Sequence, residues 1–137
     1  GSRIMDKVMA LDVGEKRIGI ALSDFLHVIA TPHSFISRKP EEEALEQIKK
    51  IAKENRVETI VVGLPINMDG TQGHQAQDCL GFAEKLKDSF KVVMEDERLT
   101  SDTAEENLRN KKIDFRKNKG LVDIESACII LEQYLSK

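Results

Sequence analysis

The chain has 137 residues, 40% of them hydrophobic, which suits one domain with a real core, and we expect no second. Its 21 basic and 24 acidic residues nearly cancel, at a formal net charge of −3, so nothing chain-wide announces a polyanion partner and any nucleic-acid surface must be local. No apolar stretch approaches the ~20 residues of a membrane span, so we expect a cytoplasmic protein with no membrane partner.

Gly1-Ser2 reads as a tag remnant, and residues 1–4 are expected to stand outside a single domain covering 1–137. Residues 7–13 read as a buried strand, 14–17 as a turn and 18–22 as a second strand, together a hairpin. Residues 27–37 add an edge strand with an irregularity at Pro32. Pro40 followed by Glu41, Glu42 and Glu43 starts a helix whose inward stripe is Ala44, Ile48, Ile51 and Ala52. Residues 58–63 form a strand buried on both faces, and 64–73 a loop punctuated by Pro65, Gly70 and Gly73. A helix over 75–87 turns Ala76, Cys79, Ala83 and Leu86 inward, and a strand then ends at Glu97. Asp102 and Glu105 have capping-box spacing for a helix over 100–110, and a last helix over 122–135 places Ile124, Cys128, Leu131 and Leu135 on one face. Cys79 and Cys128 thus lie on apolar faces, match no metal spacing and are expected to be buried, reduced thiols. Strand–strand–strand followed by alternating helices and strands implies an α/β fold. Its sheet is mixed, antiparallel at the hairpin edge, parallel further in and covered by helices on both faces.

Three acids fall at element ends: Asp12 in the first strand, Glu97 closing the strand that follows the second helix, and Asp123 opening the last helix. Hard oxygen ligands gathered from distant, rigid elements suit Mg²⁺ or Mn²⁺ and the clamping of a phosphate, so the pattern points to a metal-dependent nuclease of the two-metal type. Singly, each has a plain alternative: Asp12 as a turn residue before Gly14, Glu97 as a surface strand end, Asp123 as a helix cap. Asp96 competes with Glu97, because neighbours on a strand point to opposite faces.

Four segments carry a family likeness: Leu11-Asp12-Val13-Gly14 with Arg17-Ile18-Gly19-Ile20-Ala21-Leu22-Ser23-Asp24; Val62-Gly63-Leu64-Pro65 through Thr71; Asp96-Glu97-Arg98-Leu99-Thr100; and Asn118-Lys119-Gly120 with Val122-Asp123. In this order the chain resembles the bacterial YqgF (RuvX) family over essentially its whole length. The resemblance implies an RNase H-like three-layer fold with a five-stranded sheet, kinship with RuvC resolvases, and catalytic metal ligands at Asp12, Glu97 and Asp123. It also implies nuclease action on the 5′ end of precursor 16S ribosomal RNA during ribosome biogenesis, with Holliday junction resolution as the alternative. RuvC-type resolvases place a further aspartate one helical turn after the last catalytic one, where this chain has Ser126, and family members often carry a basic residue where it has Leu121.

Arg109, Lys111, Lys112, Arg116, Lys117 and Lys119, opposed only by Asp114, form the local positive surface that the acidic total hides; it contacts phosphates or is simply a solvated loop. Arg98 holds a phosphate or pairs with a neighbouring acid, and Asn67 lines the cleft or belongs to a tight turn. His27, His33 and His74 show no metal spacing. With 4% aromatic residues and no tryptophan, base stacking is not expected to dominate. Two rivals stand. Asp12-Val13-Gly14 also resembles the phosphate loop of actin and sugar-kinase ATPases, which need a second lobe. The other is a non-catalytic RNA- or ribosome-binding factor. A junction resolvase would need a homodimer to make two symmetric cuts, whereas an RNA-trimming enzyme could work as a monomer, so monomer and homodimer both stay open.

Overall fold

β-Branched and aliphatic residues in near-continuous runs give strands β1 (Lys7–Val13) and β2 (Arg17–Ser23), joined by a turn in which the Gly14 N–H donates to the Arg17 carbonyl at 2.8 Å. The structure, a computed structural model, describes residues 6–65, 73–96 and 118–136. Strand β3 (Ala30–Ser37) pairs antiparallel with β2. Its register slips where Ile20 faces Ser34 but Ala21 faces Pro32, so His33 is the extra residue of a bulge, the irregularity expected at Pro32. It begins at Ala30 rather than 27 because Asp24 captures the preceding loop: its Oδ1 accepts from the backbone N–H groups of Val28 (2.7 Å) and Ile29 (3.0 Å). A carboxylate holding two amides offers the backbone a better partner than an edge ladder. Those same bonds, Ile29 first, hold the Asp24 pKa below its usual value.

Helix α1 (Glu41–Glu54), strand β4 (Val57–Leu64), helix α2 (His74–Glu84), strand β5 (Lys91–Asp96) and helix α3 (Lys119–Leu135) complete the described elements. The sheet runs β3-β2-β1-β4-β5, with β1 antiparallel to β2 and parallel to β4, and β4 parallel to β5. This is the expected mixed, five-stranded α/β sheet. The predicted helix over 100–110 lies outside the described residues, as do Asn67, Glu97, Arg98, Lys111, Lys112, Arg116 and Lys117.

Each face of the sheet has its own core. On one, Met9, Leu11, Ile18, Ile20, Ile60 and Val62 pack against α1 and α2 through Ala44, Ile48, Ala52, Ala76, Cys79 and Phe82. On the other, Val8, Ala10, Ala21 and Val61 meet Ala127, Cys128, Ile130 and Leu131 of α3. Burial on both sides explains why β1 and β4 read as unbroken apolar runs rather than alternating ones. Both cysteines are buried free thiols, as expected. Helix α3 starts at Lys119, a turn earlier than the apolar pattern of 122–135 suggested. The turn was hidden by Gly120, a poor helix former, which is required there: a Cβ would lie 2.4 Å from the Phe35 ring of β3.

Candidate active site

Alternation on β1 sends Met9, Leu11 and Val13 to the α1/α2 core and Val8 and Ala10 to the α3 core, which puts Asp12 on the α3 face. Asp12 is a strand residue, level with Gly19 of β2, and not a turn residue before Gly14. Gly19 is buried under α3: a Cβ there would sit 2.0 Å from the carbonyl oxygen of Asp123 and 2.8 Å from the amide nitrogen of Ile124. The missing side chain lets the helix backbone rest on the sheet, and so brings Asp123 to the strand pair that carries Asp12. Asp123 lies in the second turn of α3, whose N-cap is Asn118, so it is not a cap either. Two plain readings of the acids are thereby removed, and two residues from opposite ends of the sequence share one small region.

Of the two competing acids Asp96 and Glu97, the strand phase excludes Asp96. Val92 and Met94 pack on the α1/α2 core and Val93 on the α3 core, so Asp96 belongs to the face away from Asp12. Glu97 is beyond the described residues. The acid that shares the face of Asp12 is Glu95, 5% exposed. Leu11 is level with Val62, and Val62 with Met94; one residue further on, Asp12, Gly63 and Glu95 form the next row. Strands lie ~4.8 Å apart, so the Asp12 and Glu95 backbones are ~10 Å apart across a glycine that contributes no side chain. Glu95 escaped the sequence reading because it sits inside a run of acids, where only the strand phase separates buried from exposed.

Arg17, at the start of β2, was also not singled out. Its Nε donates to Asp123 Oδ2 at 2.9 Å, with both side chains partly exposed. Burial raises the Asp123 pKa above its usual value, and the hydrogen bond and charge of Arg17 pull it part of the way back. Lys119 lies one helical turn before Asp123 and is exposed. Carboxylates are the hard donors that Mg²⁺ and Mn²⁺ prefer, and Asp12, Asp123 and Glu95 fit such an ion by chemistry and by face. Among the described residues, however, no three His, Cys, Asp or Glu side chains come close enough together to enclose one.

A cavity of about 310 Å³ lies elsewhere, lined by Glu15, Arg38, Lys39, His74, Gln75 and Asp78. Arg38 is buried there, its terminal nitrogens bonded to Glu41 Oε1 (3.1 Å) and Asp78 Oδ1 (3.0 Å) and its guanidinium 4.6 Å from the centre of the Phe82 ring. Glu41 also binds Lys85, the main reason its pKa is lowered. This network ties α1 to α2 on the α1/α2 face, remote from the carboxylate row. Among the described residues no helix is long and apolar enough to cross a membrane.

Residues 6–137 match the family model described as "RuvX: Holliday junction resolvase". A protein of Crocosphaera subtropica named "Putative pre-16S rRNA nuclease" is 43% identical, with 97% of this chain and 96% of that protein covered. A Clostridium acetobutylicum protein of the same name is 42% identical over 95% of this chain and 98% of its own. Among solved structures, the Fowlpox virus resolvase in complex with its Holliday junction DNA superposes with a TM-score of 0.59 at 11% identity, covering 95% of this chain and 97% of that one. Thermus thermophilus RuvC in complex with a Holliday junction substrate gives 0.50 at 15% identity, covering 95% and 93%. These two likenesses show the RNase H-like resolvase fold.

Proposed function

We propose that this chain, which belongs to the RuvX family, is a cytoplasmic nuclease that hydrolyses phosphodiester bonds in the 5′-end processing of precursor 16S ribosomal RNA. The observation that carries the reading is that the α3 backbone at Asp123 lies against Gly19, the strand partner of Asp12. The names of the relatives support the substrate. In this reading Asp12 and Asp123 hold Mg²⁺ or Mn²⁺, with Glu97 or Glu95 as the third ligand. The chemistry that a divalent ion would supply there is activation of water and stabilisation of charge on the leaving oxygen. The protein's own part is to fix the carboxylates on three rigid elements and to keep Asp123 ionised against its burial with the help of Arg17. The basic residues Lys111, Lys112, Arg116, Lys117 and Lys119, with Arg98 and Asn67, hold the backbone of the nucleic acid without reading its sequence.

The test is cleavage of end-labelled precursor ribosomal RNA and of a four-way DNA junction side by side, with Mg²⁺ or Mn²⁺. Asp12→Asn and Asp123→Asn are expected to lower cleavage by more than ~100-fold, since loss of even an outer partner of a metal ligand costs 10- to 100-fold. Comparing Glu95→Gln with Glu97→Gln identifies the third ligand. A second reading, Holliday junction resolution, is favoured by the fold shared with two junction-bound resolvases. Preference for the junction, together with a homodimer in sedimentation, would select it. Binding of ribosomal RNA without cleavage of either substrate under any metal condition would leave the non-catalytic factor.

A further inference from the structure

Phosphodiester backbones are anionic, and a face bearing Asp12, Glu95 and Asp123 repels them unless a fixed cation stands among the acids. Among the described residues, the cation in contact with this set is Arg17. It is held by Asp123 through Nε alone, which leaves the four N–H groups of its two terminal nitrogens without a partner among the described residues. Its backbone is fixed: the Arg17 carbonyl accepts from Gly14 at 2.8 Å, the residue pairs with Ser37 of β3, and the neighbouring Lys16 carbonyl accepts from Arg38 at 2.9 Å. Arg17 lies two residues before Gly19 on the face shared with Ala21 and α3, so it opens onto the region of Asp12. The side chain is 29% exposed, partly desolvated and yet reachable.

We propose that Arg17 is a phosphate-binding residue of this site, oriented by Asp123 so that its planar fork receives a phosphodiester beside the catalytic carboxylates. A guanidinium gripped at Nε presents its outer edge in the two-pronged geometry that matches two phosphate oxygens. Immobilising it before the substrate arrives lowers the ordering cost of binding. The same contact gives Asp123 two duties, as metal ligand and as the anchor of the arginine. The inference rests on the nuclease reading above.

Affinity for a fluorescent four-way DNA junction and for a fluorescent RNA stem, measured by anisotropy with Ca²⁺ over a series of salt concentrations, tests it. The proteins compared are the unsubstituted chain, Arg17→Gln, Arg17→Lys and the exposed reference Lys49→Gln on α1. A parallel titration follows Mn²⁺ binding by calorimetry without nucleic acid. Arg17→Gln is expected to weaken both nucleic acids by about tenfold and to reduce the salt slope by about one. Arg17→Lys is expected to recover the salt slope but not the full affinity, because a point charge lacks the fork. Mn²⁺ affinity is expected to hold in both Arg17 variants, and Lys49→Gln to match the unsubstituted protein. Unchanged nucleic-acid affinity in Arg17→Gln overturns the proposal. So does a parallel loss of Mn²⁺ affinity, which would make Arg17 only a support for Asp123. If the unsubstituted protein binds Mn²⁺ but neither nucleic acid, the nuclease reading itself falls, and this inference with it.

Discussion

The two faces of the sheet solve the same packing problem with opposite materials. The α1/α2 face is filled by large side chains such as Met9, Leu11, Ile18, Ile20, Ile48 and Phe82, and its one buried cation among the described residues, Arg38, has both terminal nitrogens bonded to carboxylates and an aromatic ring beside it. The α3 face is lined near the acids by Gly19, Ala10, Ala21 and Gly63, and its cation, Arg17, is held at a single nitrogen. Large residues bury more apolar area and secure stability. Small ones surrender some of that area so that a helix backbone and its carboxylate can reach the strands. The two arginines differ in the same sense: Arg38 has its terminal nitrogens on carboxylates of two helices and its buried Nε without a partner, while Arg17 is held at Nε and keeps its terminal nitrogens open among the described residues.

Substitutions on either face sharpen this contrast. The largest loss of stability is expected from Phe82→Ala, about 4 kcal/mol in urea unfolding, since it opens a void in the filled face and removes the ring beneath Arg38. Metal binding by the refolded variant should persist, because the carboxylates are on the other face. Gly19→Ala is expected to cost about 3 kcal/mol through the clash with the Asp123 carbonyl, and unlike Phe82→Ala it should abolish cleavage as well, by pushing α3 off the strand pair. Equal stability loss with cleavage intact would refute the close approach.

The smallest effect has the opposite sign. Burial raises the Asp123 pKa above 3.8, so the folded protein binds this proton more tightly than the unfolded chain does. Its ionisation therefore lowers stability as pH rises from 3.8 through the raised value, and the deficit is constant above that. Asp123→Asn is expected to melt slightly higher than the unsubstituted protein at neutral pH without divalent ions, the difference closing as pH falls below 3.8, while its activity is lost. A variant that melts lower at neutral pH would mean that the Arg17 contact outweighs the burial.

Much of this architecture is legible in the sequence, and the illegible parts share a cause. The strand runs around Leu11, Ile20 and Val61 and the stripe Ala44-Ile48-Ala52 announce their elements because burial on one or both faces writes a local period. Asp12 and Asp123 stand out because they fall inside the motifs that carry the family likeness. Arg17 could not be placed, since its partner is 106 residues away and nothing local marks the pair. Gly19 carried a usable sign, a glycine inside a strand, which often marks the close approach of another backbone. Glu95 depended on strand phase across adjacent acids, and a shift of one residue reverses every face. Phe82 was missed because the stripe through Ala76, Cys79 and Ala83 looked complete without it.

The helix that delivers Asp123 rests on the hairpin that is made first, with Gly19 beneath it and Arg17 gripping its carboxylate. During synthesis the strands and the first two helices leave the ribosome well before residues 119–135. Until α3 emerges and docks, the nascent chain holds Asp12 without Asp123, and the proposed site is incomplete. The pairing of Asp12 with Asp123 is therefore among the last steps by which the described fold assembles.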